Sequence, residues 1–139
     1  MQPPNIDQKT PAARRLLLVE DYEPLAETTA EYLRSAGLEV QIAQNGRDAL
    51  TLVAQFRPEI VLCDLRLPDM SGVDIVRELR KNSATRNVLF VIHTAYEATD
   101  FGVGGFSDVD LFLSKPMDEK NLEKLLTLKA KPLPAPAHD

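Results

Sequence analysis

Two rhythms of apolar residues run along the chain. One consists of short unbroken runs: Leu16-Leu17-Leu18-Val19, Ile60 to Cys63, and Val88-Leu89-Phe90-Val91-Ile92. Runs of that length predict strands buried on both faces. Val40 and Ile42, alternating with polar neighbours, predict a second strand in chain order, and Leu111-Phe112-Leu113 a fifth. The other rhythm has helical spacing. Leu25, Thr29, Tyr32, Leu33 and Ala36 fall on one face of Pro24 to Ala36, with proline near the start and Gly37 after the end. Ala49, Leu50, Val53 and Phe56 do the same for Arg47 to Phe56, where Pro58 stops the helix. Gly72 opens a third helix carrying Val73, Ile75, Val76 and Leu79, and Leu122, Leu125, Leu126 and Leu128 mark a final one.

Strands that alternate with helices predict an α/β fold, a parallel sheet with right-handed crossovers and helices on both faces. Five strands suit an open doubly wound sheet, since a closed eight-fold barrel needs about twice the length. One crossover fits poorly. Tyr96 to Ser107 should hold a helix between the fourth and fifth strands, yet it contains Gly102, Gly104 and Gly105. Each mid-helix glycine costs about 1 kcal/mol relative to alanine, so this helix is expected to be short or irregular. Residues 1–13 are polar and proline-bearing and read as a flexible tail. Residues 131–139 are rich in proline and small residues and read as a tail or linker stub. The folded domain is expected over 14–130.

Composition narrows the class. The chain has 139 residues, enough for one domain with a substantial core, with 44% hydrophobic and 27% charged residues. A net charge of −5 without a basic cluster disfavours nucleic acid as a partner. The single cysteine, Cys63, excludes an intrachain disulfide and suits a reducing compartment. Apolar runs too short to span a bilayer, and the absence of a signal-peptide layout, lead to the expectation of a cytoplasmic protein without membrane contact.

Open parallel sheets bind ligands at the carboxyl ends of their strands. Here the first strand ends on Glu20-Asp21, the third on Asp64, the fourth on Thr94 and the fifth on Lys115, whereas the second ends on Ala43. Three carboxylates brought to one edge repel unless a cation joins them, and oxygen ligands suit Mg²⁺. A carboxylate, a metal, a lysine and a hydroxyl make a phosphoryl-transfer site, with Asp64 the central nucleophile forming an acyl phosphate.

The segments LLLVED, DLRLPDMSG, HTA and FLSKP, in this order and on these strands, resemble the receiver domain of bacterial two-component response regulators and hybrid sensor histidine kinases. The resemblance covers nearly all of residues 14–130. It implies a flavodoxin-like sheet of order 2-1-3-4-5, with Asp64 accepting a phosphoryl group from a histidine kinase or histidine phosphotransfer protein. It also implies Mg²⁺ (or Mn²⁺) held by Asp21, Asp64 and the backbone carbonyl of Arg66, with Glu20 acting largely through water. Lys115 and Thr94 take part in the chemistry, Thr94 and Phe112 form a switch pair, and a cis Lys115–Pro116 bond aims the lysine. Pro68 and Gly72 shape the return into the third helix. Such a domain catalyses only its own phosphorylation and dephosphorylation and is not a free-standing enzyme. In that family the fourth helix, fifth strand and fifth helix form the usual output face for docking and self-association. The glycine-rich stretch falls there, and the acid pair is Glu-Asp rather than Asp-Asp.

Other readings compete for the same residues. A degenerate receiver would serve only as a docking module. A Mg²⁺-dependent phosphatase with an aspartate nucleophile normally has a second aspartate two positions on, where this chain has Arg66. An electron carrier would need a hydroxyl- and glycine-rich phosphate loop after the first strand, where EDYEP is acidic. Asp69 is expected to be a turn or capping residue, Cys63 a buried apolar one, and His93 a packed side chain opposite Thr94 on its strand. Arg66 and Tyr96, each two residues past a site residue, are expected to form the rim and to slow hydrolysis of the acyl phosphate.

Overall fold

The two rhythms become strands and helices as expected. In the computed structural model, which describes residues 14–95 and 107–129, the order is β1 (Arg15–Val19), α1 (Glu23–Ser35), β2 (Glu39–Ala43), α2 (Gly46–Phe56), β3 (Ile60–Cys63), α3 (Gly72–Lys81), β4 (Leu89–Thr94), β5 (Leu111–Ser114) and α4 (Glu119–Leu126). The expected tails and the glycine-rich crossover with Tyr96 lie outside the described residues. All strand pairs are parallel and the sheet order is β2-β1-β3-β4-β5, the doubly wound flavodoxin-like topology.

Alternation along the strands sends side chains to two cores. Leu17, Val19, Val61, Cys63, Phe90 and Ile92 meet α2 and α3 through Ala49, Val53, Ile75 and Val76. Leu16, Leu18, Ile60, Leu62, Leu89 and Val91 meet α1 and α4 through Ala26, Ala30, Leu33 and Leu125. A sheet covered on both faces explains why its central strands show no polar alternation. Among the described residues no helix is long and apolar enough to cross a membrane.

Helix ends follow local chemistry, with some differences from expectation. Pro24 sits in the first turn of α1, and Gly37, at φ +98°, takes the left-handed conformation after its end. At the end of α2 the left-handed residue is Arg57 (φ 53°), so the helix has already turned before Pro58. The fourth strand begins one residue later than the apolar run suggested and continues to Thr94, and β5 includes Ser114. The last helix stops at Leu126, leaving Leu128 packed beyond it. Ser71 and Asp74 form a reciprocal capping box at the start of α3.

Candidate functional site

Three charged side chains meet because each follows a strand by one residue, and its backbone extends the ladder by one bond. The Glu20 N–H donates to the Ala43 carbonyl (2.9 Å), the Asp64 N–H to Val19 (3.0 Å) and the Lys115 N–H to Thr94 (2.7 Å). Neighbouring strands thereby fix the backbone from which these side chains project. Lys115 Nζ then reaches two carboxylates, donating to Glu20 Oε1 at 2.6 Å and to Asp64 Oδ2 at 2.9 Å. The second Glu20 oxygen accepts from the Tyr22 N–H at 3.1 Å. Glu20 is 4% exposed, an acid that is stable there because both of its oxygens have donors.

Burial by itself would lower the Lys115 pKa, but the hydrogen bonds it donates to Glu20 and Asp64, with their negative charges, outweigh it and hold the ammonium above its ordinary 10.5. The lysine is therefore a fixed cation at neutral pH. Asp21 stands exposed beside this pair, and Glu20, Asp21 and Asp64 can each bring one carboxylate oxygen within 4.8 Å of the others. Three hard oxygen donors, one of them open to solvent, fit Mg²⁺ or Mn²⁺ in charge and chemistry.

The loop after Asp64 is closed on itself. Gly72 N–H donates to the Leu65 carbonyl (2.7 Å) and Leu67 N–H to Met70 (3.1 Å), leaving Pro68 and Asp69 at the tip. Proline suits a tip because no N–H is needed there. Gly72 is required by proximity: a Cβ on it would lie 2.7 Å from the Asp64 carbonyl oxygen and 3.0 Å from Ile92 Cδ1. The Arg66 N–H makes only a long contact with Asp64 Oδ1, at 3.5 Å. Lys115–Pro116 is cis, as the resemblance implied.

Thr94 is buried at the end of β4, and Phe112 on β5 is half-buried against the core shared by α2 and α3. His93 points to the opposite core. It is 3% exposed, its Nε2 has no hydrogen-bond partner, and burial followed by the Lys115 charge lowers its pKa from 6.5 to about 4. Cys63 is fully buried, and burial raises its thiol pKa well above the ordinary value.

Asp69 caps a helix, but not the one that follows it. Its carboxylate accepts from the Gly46 and Arg47 N–H groups at 2.8 and 2.9 Å, at the start of α2, and those bonds lower its pKa. Two further contacts were not singled out in the sequence: the Glu20–Lys115 pair and the Asn121 side chain, whose Nδ2 donates to Ser114 and Pro116. An asparagine near the start of an apolar helix gives no signal of where its amide will turn. Tyr96 lies outside the described residues.

Residues 16–127 match the family model for the response regulator receiver domain. The DNA-binding response regulator MtrA of Mycobacterium tuberculosis is 37% identical over 109 residues, 78% of this chain and 47% of that protein. A response regulator receiver protein of Anaeromyxobacter is 40% identical over 88 residues, 63% of this chain and 37% of that protein. The chain thus spans about half the length or less of the curated relatives it matches. Among solved structures, a CheY-like receiver domain from Methylobacillus flagellatus superposes with TM-score 0.75 at 33% identity, over 82% of this chain and 96% of that one. The response regulator TrrA of Thermotoga maritima, solved in complex with Mg²⁺-BeF, gives 0.71 at 25% identity over 81% and 96%. The chain belongs to the response regulator receiver domain family.

Proposed function

We propose that residues 14–130 form a phosphorylatable receiver that takes a phosphoryl group from a histidine of a kinase or phosphotransfer protein onto Asp64. The observation that carries this reading is the convergence of Lys115 on Asp64 and Glu20 with Asp21 alongside. An Asp64 oxygen attacks phosphorus as the bond to the donor imidazole breaks and its electron pair returns to that nitrogen. The product is an acyl phosphate. Water attacking phosphorus later restores the carboxylate and releases inorganic phosphate. Lys115, already charged and aimed at Asp64, moves from a carboxylate to a phosphoryl oxygen, which needs only a short side-chain shift.

Glu20, Asp21, Asp64 and the Arg66 carbonyl are the groups that would hold Mg²⁺ or Mn²⁺. The ion, when bound, neutralises charge on the transferring phosphoryl group. Thr94 then binds the acyl phosphate through its hydroxyl while Phe112 repacks, and that repacking is the output signal. Arg66 forms part of the rim and slows hydrolysis. Such a domain works inside the cell, catalyses only its own modification, and is capable of self-association. The DNA binding named for some relatives is not assigned to this chain, whose net charge of −5 disfavours it.

Intact-mass measurement after incubation with a small acyl phosphate donor and Mg²⁺ tests the reading. One phosphoryl adduct is expected, absent in Asp64→Asn and absent with a chelator. No adduct in the native chain would leave the docking-module reading.

A further inference from the structure

Lys115 has to project its ammonium across the sheet edge from a backbone that lies just past the last strand. An edge strand offers its terminal carbonyls no partner on the outer side, so some other group has to fix them. Here that group is one side chain. Asn121 Nδ2 donates to the Ser114 carbonyl at 2.6 Å and to the Pro116 carbonyl at 3.0 Å, bracketing Lys115 on both sides. Its own position is set independently. Asp118 caps α4 by accepting from the Asn121 N–H at 2.8 Å, and its carbonyl accepts from Leu122 at 2.8 Å. On the inner side the Lys115 N–H is held by the Thr94 carbonyl.

We infer that Asn121 is a positioning residue for Lys115, its amide holding the flanking carbonyls so that the ammonium reaches Asp64. The inference rests on the phosphoryl-transfer reading of the site. Chemistry makes the amide specific. Two hydrogens on one nitrogen serve two carbonyls, whereas the isosteric aspartate would set an anionic acceptor against them. With the bracket gone, Lys115 still carries its charge but loses its preset direction, and misplacement of a reacting group by about 1 Å can cost up to about 100-fold in rate. The three carboxylates project from other strands, so metal binding should survive.

Asn121→Asp and Asn121→Ala in the full chain separate these effects. Phosphorylation of Asp64 by acetyl phosphate, at saturating donor and Mg²⁺, is expected to slow about tenfold or more. Calorimetric Mg²⁺ affinity is expected to stay at the native value or rise above it, because a loosened Lys115 competes less for Glu20. In the metal-free protein, Lys115 is expected to react faster with an amine-acylating reagent, read by peptide mass. Should Asn121→Asp fail to fold, Asn121→Ser, which keeps one donor, carries the test with an intermediate rate. Native rates in these variants, or rates that fall only in step with lost Mg²⁺ affinity, overturn the inference while leaving Asp64 as acceptor. Failure of the native chain to label at all overturns the reading and the inference together.

Discussion

The Lys115 ammonium lies 2.6 Å from the Glu20 carboxylate, closer than its 2.9 Å contact with Asp64. On the proposed reading, lysine and a divalent cation would compete for Glu20. Lys115→Met removes the fixed cation and leaves two largely buried carboxylates facing each other. Metal-free stability should fall by about 3 kcal/mol, the cost of breaking a buried pair. Mg²⁺ should then raise the melting temperature more than it does in the native chain, because the acids have no other counter-charge. An equal Mg²⁺ shift in both proteins would contradict the competition.

His93 makes the fold acid-sensitive. Its folded pKa is about 4 against 6.5 in the open chain, so the unfolded state binds the proton first as pH falls. Stability is therefore fully present above pH 6.5 and is lost down towards pH 4, by up to about 3 kcal/mol. Lys115 disfavours the imidazolium, while Asp64 and Asp118 only partly offset burial. Urea unfolding of His93→Leu should show a flatter acid limb than the native protein. Identical limbs would mean that other groups govern the loss.

Two glycines in the same region should respond differently to alanine. At Gly72 the new Cβ meets the Asp64 carbonyl oxygen at 2.7 Å, a backbone atom that cannot retreat without moving the acceptor. Gly72→Ala should cost about 1–3 kcal/mol and slow phosphorylation. At Gly46 the obstacle is the Met70 side chain, which is flexible and partly exposed. Gly46→Ala should cost less and leave the rate near native. Equal losses in both rate and stability would rule out the distinction.

Arg80 holds the approach to β5. Its guanidinium donates to the carbonyls of Arg86, Val88 and Asp108 and to Asp110 Oδ2 at 3.0 Å, and that same oxygen accepts from the Phe90 N–H at 2.7 Å. Arg80→Ala should destabilise by about 3 kcal/mol, since Asp110 is left largely buried without its cation. Arg80→Lys should recover little, because one ammonium cannot span a fork of four acceptors. Denaturant melts decide it, and a fully stable lysine variant would show the fork to be dispensable.

How much of this was legible in the sequence follows from the range of each interaction. Leu16 to Val19 and Ile60 to Cys63 announce buried parallel strands because every residue is apolar, and the site residues follow from where such runs stop. Glu20, Asp64 and Lys115 were identifiable for that reason. The loop with Pro68 and Gly72 was legible as a turn, but the need for glycine came from the Asp64 carbonyl beside it. Asp69 was legible as a capping residue, yet nothing local says that the capped amides belong to Gly46 and Arg47, 22 or more residues earlier. Asn121 and Arg80 were silent for the same reason. Their partners are backbone carbonyls, which carry no sequence signature. Arg57 shows the limit in the backbone itself: Pro58 predicts where α2 stops, but not that a non-glycine residue ends it in a left-handed conformation.

The most direct test of the account is the identity of the modified residue. The chain is incubated with acetyl phosphate and Mg²⁺, any acyl phosphate is reduced with borohydride, and the peptides are mapped. The account predicts conversion of Asp64 to homoserine, dependent on Mg²⁺ and strongly reduced in Lys115→Met, with Asp21 and Asp69 unchanged. Conversion at either of those residues instead, or at none, would contradict it.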